Sequence, residues 1–246
     1  MPKKFMKILS IDFDYFQDVS PEVLVTCYPD GKDLPTWLTF ITWAHHYATA
    51  YDELMSVKID ETHFKQLKQI LDRQDFYTPC MAVQSHKHIY DFIKKHYSDK
   101  YCGAHIVNID MHPDYTNDNS DIDCGNWVSH IISDIPKCKL TWIANKVSED
   151  VYGLESIREV MKYDFDSIMG INFDLIFLCR SDTWFPPHLD SYFDELYRML
   201  LNNFYSVMTD QQITEPRNFD EIRANAREYR KQLETLKYLN EELKGE

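Results

Sequence analysis

The chain has 246 residues, with 44% hydrophobic and 14% aromatic side chains, which allows a sizeable core and excludes a disordered chain. Lys plus Arg number 26 against 40 Asp plus Glu, a formal net charge of −14. That balance argues against a nucleic-acid binder and suits a cationic substrate or bound metal ions, although most single acids simply solvate the surface.

The predicted elements alternate. Residues 5–11 form an apolar strand running straight into Asp12-Phe13-Asp14. Residues 17–35 carry four Pro or Gly positions (Pro21, Pro29, Gly31 and Pro35) and are expected to be a long loop. Apolar residues at helical spacing predict a helix over 37–55, N-capped by Thr36, and a second over 60–71. Strand–helix units follow: strand 79–84 with helix 86–97, then strand 104–109 with an acidic loop 110–123 and helix 125–132. Strand 140–144, a short helix over 154–161, strand 173–179 and an amphipathic helix over 189–201 complete the series. Residues 216–246 turn strongly charged and are expected to form a helical C-terminal appendage to a single domain spanning 1–246.

This rhythm predicts an α/β fold, a three-layer αβα arrangement around a mostly parallel sheet. Right-handed crossovers place the strand C-termini along one edge, where such folds bind ligands. The six cysteines are scattered with no C-x-x-C pair and are expected to be reduced and mostly core-filling. Residues 1–7 are basic, and no run reaches the ~18 apolar residues of a membrane span, so a cytoplasmic chain is expected.

Two acidic clusters carry the chemistry. Asp12 and Asp14 alternate at a strand end, so an extended backbone would point both carboxylates the same way. Two adjacent carboxylates near a core repel each other unless a cation compensates, but a solvated strand end or a helix cap has the same pattern. Asp110, His112 and Asp114 follow the 104–109 strand at spacing two, a donor set suited to Mn²⁺, Zn²⁺ or Fe²⁺. Four carboxylates exceed the need of one cation and point to two metals sharing carboxylates. A further neutral ligand is expected from Ser85-His86-Lys87-His88, with His86 nearest the strand end and His88 as the alternative.

These runs resemble the arginase/ureohydrolase superfamily, which carries a His after one strand, D-x-H-x-D after the next and S-x-D-x-D after another. Here they are His86, Asp110-Met111-His112-Pro113-Asp114 and Ser10-Ile11-Asp12-Phe13-Asp14. Val83-Gln84-Ser85-His86 followed by Val107-Asn108-Ile109-Asp110 is most similar to the peptide arginase branch, whose members convert arginine in a ribosomal precursor peptide to ornithine and urea. The resemblance covers residues 8–16 and 83–130. The S-x-D-x-D strand is N-terminal here and late in ordinary arginases, which implies a permuted strand order.

The resemblance implies two Mn²⁺ ions, other divalent ions being admitted by the same donors. Asp12 and Asp110 would bridge them, Asp114 and His86 would complete one ion, and His112 and Asp14 the other. Asp114 is also expected to hold the attacking water. The partner it implies is an arginine-containing precursor peptide, with neither nucleic acid nor membrane. For catalysis, His130 is a candidate proton shuttle, against a helix His packed on its neighbours. Asp182 is a candidate carboxylate clamp for the guanidinium and Trp184 a stacking wall, against a Ser/Asp turn with a packing Trp. Rival readings are a deacetylase-like amide hydrolase, a phosphoryl-transfer enzyme without a P-loop, and a non-catalytic peptide-binding module.

Overall fold

Three apolar runs make the middle of the sheet. KFMKILSID becomes β1 (Lys4–Asp12), YCGAHIVNID becomes β5 (Tyr101–Asp110) and LIFLC becomes β8 (Leu175–Cys179). The last five residues of β1 and all of β8 are buried. Continuous burial without alternation is what a parallel strand covered on both faces requires. The computed structural model describes residues 3–29, 33–116, 121–152, 161–210, 213–214 and 217–244.

The other strands are β2 (Gln17–Asp18), β3 (Lys58–Ile59), β4 (Cys80–Val83), β6 (Lys139–Ala144), β7 (Met161–Lys162) and β9 (Val207–Thr209). Seven of the nine form one sheet in the order β7-β6-β5-β1-β8-β4-β9, and each neighbouring pair runs parallel. The short β2 and β3 pair antiparallel apart from it. The helices are α1 (Pro21–Cys27), α2 (Thr36–Thr49), α3 (Tyr51–Ser56), α4 (Glu61–Leu71), α5 (His88–His96), α6 (Trp127–Asp134), α7 (Ser148–Tyr152), α8 (Asp190–Asn203) and α9 (Phe219–Lys244).

Alternate strand residues serve opposite layers. Leu9, Ile11, Val107, Ile109, Ile176 and Leu178 share a cluster with buried residues of α2, α4 and α8. Met6, Ile8, Ile106, Leu175 and Phe177 share another with α5 and α6. The period-two alternation of side chains therefore builds a three-layer αβα fold, as the strand–helix rhythm predicts. No helix among the described residues is long and apolar enough to cross a membrane. The six cysteines are free thiols; Cys27, Cys80 and Cys179 are buried and the other three partly buried.

Several boundaries differ from the sequence expectation. The 17–35 loop contains β2 and α1; Ser20 caps α1 by accepting from the Val23 N–H, with Pro21 in the first turn. The 37–55 helix is two helices, broken at Ala50, whose φ of −135° is not helical. Thr36 is not the N-cap of α2: Pro35 holds that position. Residues 154–160 lie outside the described residues, and Met161 begins a strand. The strand β9 was not anticipated. The charged C-terminal segment is more than an appendage at its start, because Ile222 and Ala226 of α9 are buried in the main core. Arg230 also donates from Nε to the Ala48 carbonyl of α2 at 3.0 Å.

One packing contact has a pH signature. His188 Nε2 lies 3.2 Å from the Val57 carbonyl, and Nδ1 lies 2.6 Å from the Tyr47 hydroxyl. The carbonyl can only accept, so Nε2 carries the proton and Nδ1 accepts from Tyr47, a neutral imidazole. Burial pushes the His188 pKa down to about 4. Its contribution to stability is present above the unfolded value near 6.5 and is lost as pH falls through about 4. Melting temperatures measured from pH 7 to pH 4 should therefore fall more steeply for the native chain than for His188→Gln; parallel curves would contradict this assignment.

Candidate metal centre

The centre assembles at the C-terminal edge of the sheet because of strand register. Ile11 of β1 pairs with Ile109 of β5, so Asp12 and Asp110 end adjacent strands at the same level. Asp12 also pairs with Cys179 of β8, and Val83 of β4 pairs with the same Cys179. The chain leaving β4 thus delivers Gln84, Ser85 and His86 to that edge.

His86 is 2% exposed and wedged between aromatic rings. Phe177 stacks on it with centroids 5.5 Å apart and planes 10° apart, and Trp127 lies 5.1 Å away. Ser10 Oγ holds Nε2 at 2.6 Å. That leaves Nδ1 facing Asp114 Oδ2 at 2.9 Å, Asp12 Oδ2 at 3.1 Å and Asp110 Oδ2 at 3.2 Å. Although these oxygens are close, Nδ1 makes no hydrogen bond of acceptable geometry. A buried ring nitrogen facing three carboxylates without such a bond is arranged as a metal ligand would be.

A second group lies on the other side of Asp110. His112 Nδ1 is 2.9 Å from Asp14 Oδ2 and 3.6 Å from Asp110 Oδ1. The two oxygens of Asp110 therefore face different histidines. Asp12, His86 and Asp110 form one set whose donor atoms lie within 4.8 Å of one another, and Asp14, Asp110 and His112 form another. These Asp and His groups, buried apart from the partly exposed His112, can hold metal ions, with Asp110 common to both sets.

The spacing-two pattern reaches this arrangement by turns rather than by extended backbone. β1 stops at Asp12, whose Oδ1 accepts from the Asp14 N–H at 3.4 Å and opens a 3-10 turn over Phe13–Phe16. β5 stops at Asp110, and Asp114 takes a left-handed φ of 49°. In consequence Asp114 reaches His86 while His112 faces Asp14, where an extended chain would keep the two on one side.

Neighbours lock the carboxylates. Asn108 Nδ2 donates to Asp110 Oδ2 at 3.1 Å, and the His112 N–H donates to Asp110 Oδ1 at 2.8 Å. Trp142 Nε1 donates to the Asp110 carbonyl at 3.0 Å. Trp127 Nε1 donates to Asp114 Oδ2 at 2.6 Å, and the Met111 N–H to Asp14 Oδ1 at 3.3 Å. Such partners fix ligand orientation and basicity.

The charges are unbalanced without a cation. Among the described residues, the ion-pair partners of these four carboxylates are His86 and His112. Burial, then the Asp12 charge, pushes Asp14 up to about 7. Burial, then Asp110, raises Asp12, and the same two causes hold Asp114 well above the carboxylate range. For both histidines burial works downward but carboxylates win, Asp114 foremost for His86 and Asp14 for His112. Burial would raise Asp110 too, yet the His112 and His86 side chains beside it hold it low. Burial and like-charge repulsion thus favour protonated forms in the cluster, and a metal would supply the positive charge in their place. Four carboxylates, two imidazoles and a hydrogen-bonded surround fit hard to borderline divalent ions.

A cavity of about 420 Å³ opens onto the centre, lined by Asp12, His112, Asp114, Cys124, Tyr152 and Trp184 among others. Trp184 lines this cavity 5.6 Å from the His112 ring, with Tyr152 at 5.1 Å. Comparison of the chain with family models, curated proteins and solved structures returned no match in any of the three.

The structure brings together all six expected ligands and separates the histidine alternatives. His86 enters the centre, while His88 begins α5 and lines a different cleft. Two other expectations need correction. Asp182 is fully buried and binds Arg180, from Nε to Oδ1 at 2.5 Å and from Nη2 to Oδ2 at 3.0 Å. Both its oxygens are engaged, so it is a structural ion pair and not a free clamp. His130 sits on α6 with its ring 6.4 Å from that of Tyr90 on α5, and it does not line the cavity. It is placed as a packing histidine.

Sequence reasoning missed Ser10, Trp127 and Tyr152. Ser10 carried a signal, since strand alternation puts it on the same side as Asp12. Trp127 and Tyr152 reach the centre only through the packing of α6 and α7, which no local spacing encodes.

Proposed function

We propose that the chain is a dinuclear-metal hydrolase, with Mn²⁺ as the preferred ion, that converts arginine side chains of a precursor peptide to ornithine with release of urea. The observation that carries it is Asp110, buried and sharing its two oxygens between His86 on one side and His112 on the other. Bound there, a pair of divalent ions would supply the Lewis acidity that makes a water nucleophilic near neutral pH. Asp12, His86 and Asp114 would hold one ion and Asp14 and His112 the other, with Asp110 between them.

The remaining tasks fall to the chain. Ser10 fixes the His86 ring through Nε2, and Trp127 fixes Asp114. Trp184 and Tyr152 wall the cavity beside His112, where a flat guanidinium can stack and bulk water is displaced. The balance of the reaction is one water added across the guanidino carbon: the C–N bond to the side chain breaks, urea leaves, and the side-chain nitrogen gains the proton.

The test incubates Mn²⁺-loaded chain with a synthetic arginine peptide and follows its mass. Loss of CN₂H₂, with urea in the supernatant, is expected. Unchanged mass with every arginine peptide and with free arginine, by protein of full metal content, would end this reading. The engagement of Asp182 by Arg180 favours one second reading, an amide hydrolase acting on acyl-lysine peptides, because a neutral group needs no carboxylate clamp. Acetate release from an acetyl-lysine peptide separates the two.

A further inference from the structure

With Asp182 engaged, free acceptors for a cation must be sought elsewhere. Three residues lining one cleft, Asp33, Thr36 and Gln84, each carry a buried side-chain oxygen (Oδ1, Oγ1 and Oε1) without a hydrogen-bond partner among the described residues. The cleft encloses about 1180 Å³. Gln84 is only 7% exposed, so its unpartnered oxygen belongs to a built site and not to a solvated surface. Asp210 and Glu221 add carboxylates to the walls. Of the three basic residues there, Arg217 is already bound to Asp190 and to the carbonyls of Asp182 and Phe185, burial lowers the His88 pKa, and Lys87 is the remaining cation, near enough to Asp33 to act on its carboxyl. Trp37, 67% exposed, and Phe40 supply aromatic faces at the same cleft.

Position ties the cleft to the metal centre. Gln84, Ser85 and His86 are consecutive: Gln84 lines the cleft, Ser85 donates to Asp33, and His86 enters the centre. Two residues of extended chain span about 7 Å, so neighbouring side chains of one peptide can reach both places. The Asp33 carboxyl, pushed up to about 6 chiefly by burial, also feels the Asp12 charge. The Cys124 thiol of the metal cavity is raised by burial and next by Asp33. Asp33 thus lines the cleft within electrostatic reach of Asp12 and Cys124 of the metal cavity.

We propose that this cleft is a cation subsite that holds a Lys or Arg side chain of the substrate peptide next to the reacting residue, with Asp33 and Gln84 as acceptors and Trp37 as an aromatic wall. It rests on the peptide-substrate reading above. Unpaired acceptors match an ammonium or guanidinium, and an aromatic face adds cation–π attraction. The subsite sets which arginine in a peptide is presented, a task the small metal cavity alone does not perform.

The test measures Kd by calorimetry for Mn²⁺-loaded full-length chain with acetylated, amidated pentapeptides. Each contains one arginine and, two positions on, lysine, arginine or norleucine. The native chain should bind the lysine and arginine peptides about 10–100-fold more tightly than the norleucine peptide. Asp33→Asn should collapse that ratio, and Trp37→Ala, at an exposed position that leaves the core intact, should reduce it about 2–5-fold. Equal affinities for the peptides in the native chain, or an undiminished ratio in Asp33→Asn, overturn the subsite. A preserved, Asp33-dependent ratio without any urea release overturns the reaction and leaves the subsite standing.

Discussion

Replacing Asp110 with alanine should strip the chain of bound metal and abolish turnover together. Among the described residues Asp110 alone belongs to both donor sets, so one substitution removes a candidate ligand from each. The outer contacts provide a scale: losing a supporting partner of a ligand typically costs ~10–100-fold in metal affinity, and losing the shared ligand must cost more. Asn108→Ala, which removes one hydrogen bond to Asp110 Oδ2, is the graded control and should weaken metal binding by about 10–100-fold. Metal content after dialysis, measured by elemental mass spectrometry, reads both variants. Two ions retained in Asp110→Ala would remove that residue from the bridge.

Replacing Asp182 with alanine should damage stability rather than substrate affinity. The Arg180 and Asp182 side chains are both about fully buried, and the Arg180 guanidinium also lies 5.9 Å from the Phe193 ring centroid. Removing one partner leaves the other charge buried and uncompensated, a cost of about 3–5 kcal/mol. For a domain of this size that lowers Tm by roughly 6–20 °C. A clamp would behave differently: Tm would stay near native while KM rose. Thermal denaturation of Asp182→Ala and Asp182→Asn decides between these outcomes, and an unchanged Tm would restore Asp182 as a candidate for the substrate.

Much of the layering was legible in the chain. Uninterrupted apolar runs such as LIFLC have one comfortable place, the middle of a parallel sheet, and the acids that end them fall at one edge by topology. The ligand types were legible for the same reason, because Asp12, Asp110 and His86 each follow such a run. Backbone detail was not. Spacing of two suggested extended chain, whereas Asp14 lies within a 3-10 turn and Asp114 takes a left-handed φ. Side-chain pairing was also hidden: Asp182 looked free although its bidentate partner Arg180 stands only two residues away. The break at Ala50 was invisible since the apolar spacing of 37–55 continues through it. Asp33 drew no attention as one of several acids in a stretch expected to be loop, and only the fold sets it beside Ser85.

The most direct measurement is anomalous X-ray scattering from crystals of the full chain grown with Mn²⁺. The account predicts two anomalous peaks in each molecule, one beside His86 Nδ1 with Asp12 and Asp114, the other beside His112 Nδ1 with Asp14, and Asp110 touching both. A single peak, or peaks away from these residues at saturating Mn²⁺, would contradict it.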